Sequence, residues 1–248
     1  MNSEDARPSK KERRQFKREQ RLSSEQHQTQ KRLVQRRIAL WSSVLVGISA
    51  VVFVIIKLST PPETTVAITL SHIEITPEDW VKGQTGSKAV LVEYSDFECP
   101  ACGAYYPVLK KLYRDFGNRM QFVYRHFPLK QHLHAELAAR AAEAAGRQGK
   151  FWEMHDLIFE GQIAWTSQSH PEETFIGYAR KLGLDLERYR KDLESPEVQK
   201  AIENDRESVD RDNLEGTPTF FLNGVMIQNP RSYDEFRKLL QHAIESGS

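Results

Sequence analysis

Nineteen consecutive residues without an ionisable side chain, IALWSSVLVGISAVVFVII from Ile38 to Ile56, divide the chain into two unlike regimes. As a helix rising about 1.5 Å per residue, the run spans roughly 28 Å, close to the roughly 30 Å of bilayer hydrocarbon. Lys57 can snorkel beyond it and Leu58 extends it. A buried core helix would show a polar stripe, and this run offers only small Ser and Gly. A cleaved signal peptide would have a shorter basic start and an A-x-A-like site, which the following KLSTPPETT lacks. A single uncleaved transmembrane helix over residues 38–58 is therefore expected. Residues 1–37 hold 12 Lys/Arg against 5 Asp/Glu, a net of +7, whereas residues 58–248 hold 22 against 29, a net of −7. Basic flanks stay in the cytoplasm, which places residues 59–248 outside the cell membrane. The tail itself has no apolar periodicity and reads as solvated charge, with anionic lipid as its natural contact. Nothing beyond composition suggests nucleic acid.

Beyond the span, residues 59–80 read as a Pro-containing linker, with an extra strand over VAITLSHIEI, Val66–Ile75. A loop containing Gly83 and Gly86 follows. Ala89–Tyr94 (AVLVEY) is an apolar strand carrying one charge, Glu93. Ala101–Phe116 has helical spacing, with Tyr105, Val108, Leu109, Leu112 and Tyr113 on one face. Met120–Phe127 is a second strand, closed by Pro128. Leu133–Asn213 is helix-rich, with Pro171 and Pro196 as helix starts. Thr219–Leu222 and Val225–Ile227 flank Asn223-Gly224, a hairpin signal, and Ser232 caps a closing amphipathic helix to Ile244 with Glu235 three residues on. Strand, helix, strand, helical stretch, hairpin, helix is the order of an α/β thioredoxin-like fold with an inserted helical domain. The core occupies residues 81–248 and the insertion about 130–215.

The two cysteines of the chain form one C-x-x-C, Cys99-Pro100-Ala101-Cys102, directly after a strand and opening a helix. The unpaired N–H groups and dipole of a helix N-terminus stabilise an anion there, so Cys99 is expected as the thiolate. Cys102, one turn in, can reach its sulfur. Pro100 suits the first helical position, where no N–H is needed. A zinc site needs about four ligands, and only His126, His132 and His134 could complete one. A disulfide closing so small a loop would stabilise little, which favours redox work over structure.

FECPACG after LVEYSD, the HFPL segment, AARAAEAAGRQGKFWEMHDLIF and GTPTFFLNG together resemble the bacterial DsbA-like thioredoxin-fold disulfide oxidoreductases in their membrane-anchored form. The likeness covers about Val81–Ser248. It implies that Thr217-Pro218 is a cis-proline loop facing the cysteines, where the Thr217 backbone would pair with an extended substrate segment. It also implies that Glu93 is a buried acid near Cys102, able to exchange a proton with it. Pro100 and Ala101 would tune the redox pair, and the absence of His between the cysteines implies weaker oxidising power than in the strongest oxidases of the family. Asp96 and Glu98 would oppose a Cys99 thiolate unless exposed and screened. His126 reads as a loop or interface residue, and Phe151, Trp152 and His155 as packing between insertion and core.

The resulting expectation is an extracytoplasmic thiol–disulfide oxidoreductase. It would introduce disulfides into exported proteins with free thiols through the Cys99–Cys102 pair, without cofactor or metal, and be reoxidised by a membrane redox partner. A tethered reductase or isomerase, or a non-enzymatic peptide- or copper-binding module, are the alternatives.

Overall fold

The structure is a computed structural model describing residues 73–246 and Gly47. The basic tail, the expected span at 38–58 apart from Gly47, and the stretch 59–72 lie outside the described residues. Among those described, no helix is long and apolar enough to cross a membrane.

Five strands form one sheet: β1 (Trp80–Gly83), β2 (Ala89–Ser95), β3 (Met120–His126), β4 (Thr219–Leu222) and β5 (Val225–Ile227), in the order β1-β3-β2-β4-β5. Strands β2 and β3 run parallel, from Ala89 opposite Met120 to Ser95 opposite His126, and the other neighbours are antiparallel. A parallel pair needs a crossover, here α1 (Pro100–Phe116). The hairpin β4–β5 turns at Asn223-Gly224, where both residues have positive φ, 51° and 80°. The Asn223 side chain also accepts from Val90 N–H at 2.8 Å, tying the turn to the central strand.

Alternation along β2 sorts the two faces of the sheet. Leu91 packs with Leu109, Leu112 and Phe116 of α1 and with Phe236 and Leu240 of α8 (Tyr233–Ser246). Val92 and Tyr94 face the other way, against Val209 of α7 (Pro196–Arg211), Leu214 and Phe221. Between β3 and β4 the chain builds the helices α2 (Ala135–Gly146), α3 (Phe151–Glu160), α4 (Gln162–Thr166), α5 (Glu172–Lys181), α6 (Leu186–Leu193) and then α7. Seven buried alanines of α2 (135, 138, 139, 141, 142, 144 and 145) leave room for α3, α6 and α7 to pack around it. Ser232 does cap α8 through Glu235 N–H (3.2 Å), but Glu235 returns its carboxylate to Arg231 N–H, so the reciprocal box does not close.

Two expectations need correction. Residues 73–75 of the proposed Val66–Ile75 strand are irregular, and the edge strand is β1, inside the stretch read as linker and loop. Four residues ending in glycine give no periodic signal, and what holds them is distant. The Trp80 ring stacks on Phe151 at 4.2 Å and donates to Glu143 at 2.5 Å. The buried face of α1 is also rotated from the expected one. Cys102, Tyr106, Leu109, Leu112 and Phe116 are buried, and Tyr105, Val108 and Tyr113 only partly so, because the insertion covers the Tyr106 side. Asp96, whose charge solvent would screen only if it were exposed, is 2% exposed.

Arg125 fastens the segment before β1 to the sheet. Its guanidinium, 3% exposed, takes both carboxylate oxygens of Asp79 (2.6 and 2.8 Å), the Glu74 carbonyl (2.6 Å) and the Tyr94 hydroxyl (2.7 Å). Removing one partner of a buried pair strands the other charge. Asp79→Ala is therefore expected to lower stability by about 3–5 kcal/mol in a denaturant melt, with Arg125→Met/Asp79→Leu recovering most of the loss. Equal destabilisation by the single and double variants would show that the pair is not what fixes this edge.

Candidate active site

Strand β2 ends at Ser95, and a three-residue loop delivers Cys99 to the N-cap of α1. Cys99 is extended (φ −66°, ψ 121°) and gives the helix no side-chain cap, while Pro100 fills its first turn. The N–H groups of Ala101 and Cys102 are thus left for an anion at the Cys99 sulfur. Both thiols are free. Cys99 is 6% exposed and Cys102 0%, so the first sulfur is the reachable one, yet it lies in a crevice rather than on open surface.

The thiol of Cys99 is pulled down to about 5, chiefly by a hydrogen bond from Cys102, against burial, with Thr217 and the N–H groups of Cys102 and Ala101 adding to the effect. Burial pushes Cys102 well above the ordinary thiol value, and the Cys99 sulfur and Glu93 add to that. One sulfur is a stabilised thiolate and the other a held thiol.

The Thr217–Pro218 peptide is cis, and the Thr217 carbonyl accepts from the Cys99 thiol at 3.5 Å. The buried Thr217 hydroxyl has no hydrogen-bond partner by geometry among the described residues, and it lies where it favours the Cys99 thiolate. Asn229 donates to the Pro218 carbonyl at 2.7 Å and Thr219 to that of Gly216 at 2.7 Å, bracing the loop from both sides. Sequence reasoning missed Asn229. It follows β5, and only the hairpin's return brings it to the loop.

Glu93 is 1% exposed, on the α1 face of β2, and accepts from the Ser95 hydroxyl at 2.9 Å. Burial raises its pKa to about 8, and Ser95 and the Lys82 cation oppose that rise. Lys82 belongs to β1, its ammonium 4.2 Å from the Trp152 ring centre and 4.7 Å from that of Tyr113. A narrow cleft is lined by Lys82, Glu93, Tyr106, Lys110, His155 and Asp156. Lys82 was not among the residues expected at the site, since β1 itself was not.

The remaining charges order the loop. Asp96 accepts from Glu98 N–H (2.7 Å), Leu129 N–H (2.9 Å) and the His132 ring (2.6 Å), and Glu98 accepts from His134 N–H (2.6 Å). Neither stands as a loose anion beside Cys99. His126 is buried at the end of β3 against Glu143 (3.0 Å). Phe151 and His155 are packed among Phe97, Tyr124 and Trp152, between insertion and sheet.

A family model described as thioredoxin (Thioredoxin_4) matches residues 75–242. The chain belongs to this thioredoxin family. A thioredoxin-like oxidoreductase from Silicibacter pomeroyi DSS-3 superposes with a TM-score of 0.57 and 26% identity, covering 68% of this chain and 94% of that one. BdbD from Bacillus subtilis, in its oxidised form, gives 0.63 at 22% identity, covering 71% and 98%. Wolbachia pipientis α-DsbA1 gives 0.61 at 19%, covering 71% and 95%. Among curated sequences, Na(+)/H(+) antiporter NhaA 1 of Salinispora arenicola is 44% identical over 147 residues, 59% of this chain and 22% of that protein. The antiporter NhaA of Herminiimonas arsenicoxydans is 40% identical over 161 residues, 64% of this chain and 24% of that one. The chain spans about a quarter of the length of these curated relatives. The chain shares the thioredoxin-like fold of these solved structures.

The rate of Cys99 alkylation is expected to follow a single titration with a midpoint near 5, and Thr217→Val should move that midpoint upward. A midpoint near the free thiol value of about 8.5 would show that the loop and helix end do not hold a thiolate.

Proposed function

We propose that the domain oxidises pairs of thiols in exported proteins, with the Cys99–Cys102 disulfide as its oxidant and no further cofactor. The observation that carries this is the contrast between the two sulfurs at the uncapped start of α1. A low-pKa thiolate is a good leaving group, and it stabilises the reduced enzyme, which makes the disulfide form the stronger oxidant. In the oxidised state a client thiolate attacks Cys99 Sγ, the S–S bond breaks, and Cys102 leaves with the electron pair. Glu93, still holding its proton near neutrality, gives that proton to Cys102. A second client thiolate then attacks the client sulfur of the mixed disulfide and expels Cys99 as the thiolate. The client is oxidised by two electrons and the enzyme dithiol is the product. Thr217 and Pro218 offer backbone to the client segment, and Pro100 and Ala101 set how strongly the helix end favours Cys99. The lack of a cationic side chain between the cysteines moderates the oxidising power.

Leu133 and Ile163 are 83% and 88% exposed. Each adjoins a residue hydrogen-bonded to the active-site loop, His134 to Glu98 and Gln162 to Phe97 and Cys99. Such apolar surface suits unfolded chain with apolar side chains beside its cysteine. The proposal keeps the anchor at 38–58, with the catalytic domain outside the cell membrane and a membrane redox partner restoring the disulfide.

Linkage between redox state and stability tests the direction of electron flow. The unfolded thiol titrates near 8.5, above the folded value of about 5. Thiolate stabilisation of the reduced fold is therefore fully present above about pH 8.5 and fades as pH falls through 5. The reduced protein is expected to melt above the oxidised one at pH 7, the gap closing toward pH 4, with a reduction potential above about −200 mV, on the oxidising side of thioredoxin. If the oxidised form melts higher at pH 7, the domain works as a reductase.

Glu93 contributes in the opposite direction. Its folded value of about 8 lies above the ordinary 4.5, so its contribution is full below about pH 4.5 and lost as pH rises through 8. Glu93→Gln should flatten stability across that window and slow release of Cys102 from the disulfide about a hundredfold or more, within the range removed with a proton-transfer group. An unchanged release rate would leave Glu93 without a role in proton transfer. Cys102→Ser is expected to trap mixed disulfides through Cys99 and Cys99→Ser to trap few, the reverse pattern exchanging their roles.

A further inference from the structure

We propose that Gln162, on the inserted helical domain, is a positioning residue for the nucleophile: its carboxamide fixes the backbone around Cys99 so that the helix-end N–H groups aim at the sulfur. Gln162 Nε2 donates to the Phe97 carbonyl at 2.8 Å and to the Cys99 carbonyl at 2.9 Å, bracketing the loop on both sides of Glu98. The Cys99 carbonyl also accepts the first helical bond of α1, from Gly103 N–H at 3.1 Å. Gln162 thus grips the residue at which strand-like backbone becomes helix.

That grip matters because nothing on Cys99 itself supplies it. The N-cap makes no side-chain hydrogen bond to the helix, and Pro100 next to it donates none. Asp96 orders the loop before Cys99, through Glu98 N–H and its own carbonyl to Cys99 N–H (3.1 Å). The carbonyl side is left to Gln162. Its own helix, α4, is anchored by Trp165, which is 0% exposed and donates to the Ile158 carbonyl at 2.8 Å.

A second observation points to the same contact from the opposite side. Gly103 stands inside α1 one residue past Cys102, where a glycine is unfavourable relative to alanine. A Cβ built there would run into the Gln162 carboxamide, whose three atoms are the nearest it would meet. The glycine is the space that lets the insertion reach the active-site loop. The contact joins residues 63 apart in sequence.

The inference rests on Cys99 being the nucleophile, and the test separates the two. The full-length dithiol protein, with Gln162→Ala, Gly103→Ala and both together, is alkylated with iodoacetamide from pH 4 to 9, and mass spectrometry reports which sulfur is labelled. Gln162→Ala is expected to move the Cys99 midpoint upward, slowing labelling at pH 5 about three- to tenfold while the high-pH plateau holds, and to lower the reduction potential. Gly103→Ala should expel the carboxamide and give the same shift, and the double variant should be no worse than either single one, as for two changes that remove one contact. A role confined to packing would lower melting temperature and leave the midpoint and potential in place. Labelling of Cys99 with unmoved midpoints in both single variants overturns the proposal; labelling of Cys102 first overturns the assignment of the nucleophile instead.

Discussion

The N-terminus of α1 has donors and no cap, and the rest of the domain can be understood from that imbalance. Four N–H groups at a helix start must find acceptors or water. Here Pro100 removes one, and the sulfur of Cys99 stands before others. The parallel pairing of β2 with β3 makes the helix begin at this spot, because the crossover must start where β2 stops. The cis-proline loop then faces the helix start from across β4, and the insertion closes the third side. The loop places the Thr217 carbonyl at the sulfur, and the insertion holds the Cys99 carbonyl through Gln162.

A second constraint runs beneath the cysteines. Glu93, Tyr124 and Cys102 share a region with little water, and each has its charged form penalised by burial. Only the Ser95 hydroxyl and the distant Lys82 cation ease the Glu93 carboxylate. A charge on Glu93 raises the pKa of both Cys102 and Tyr124, so an ionised Glu93 keeps their protons in place.

Much of the sheet was legible because its signals are local. The apolar stretches of β2 and β3, the Asn223-Gly224 turn and the helix starts at Pro171 and Pro196 are each written within a few residues. The cysteine pair was legible for the same reason. What escaped depends on partners far along the chain. The edge strand β1 is held by Phe151 and Glu143, and Asp79 meets Arg125 across 46 residues. The burial of Asp96 could not be read locally because the backbone N–H of Leu129 and the ring of His132, which bury it, come after β3. Tyr106 took the place of Tyr105 on the buried face of α1 because the insertion adds Phe159, stacked on it at 5.3 Å, a surface that periodicity within one helix does not record.

The 6% exposure of Cys99 sets a condition on the shape of whatever meets it. A sulfur in a crevice between a helix start and a loop is reached by a thin, locally extended chain, and not by a cysteine set in a flat or packed surface. Under the proposed oxidase role, bonding would compete in time with the client's own folding. A cysteine that folded away before the encounter would be lost to the enzyme, so the order in which cysteines emerge and stay extended would select which of them are joined.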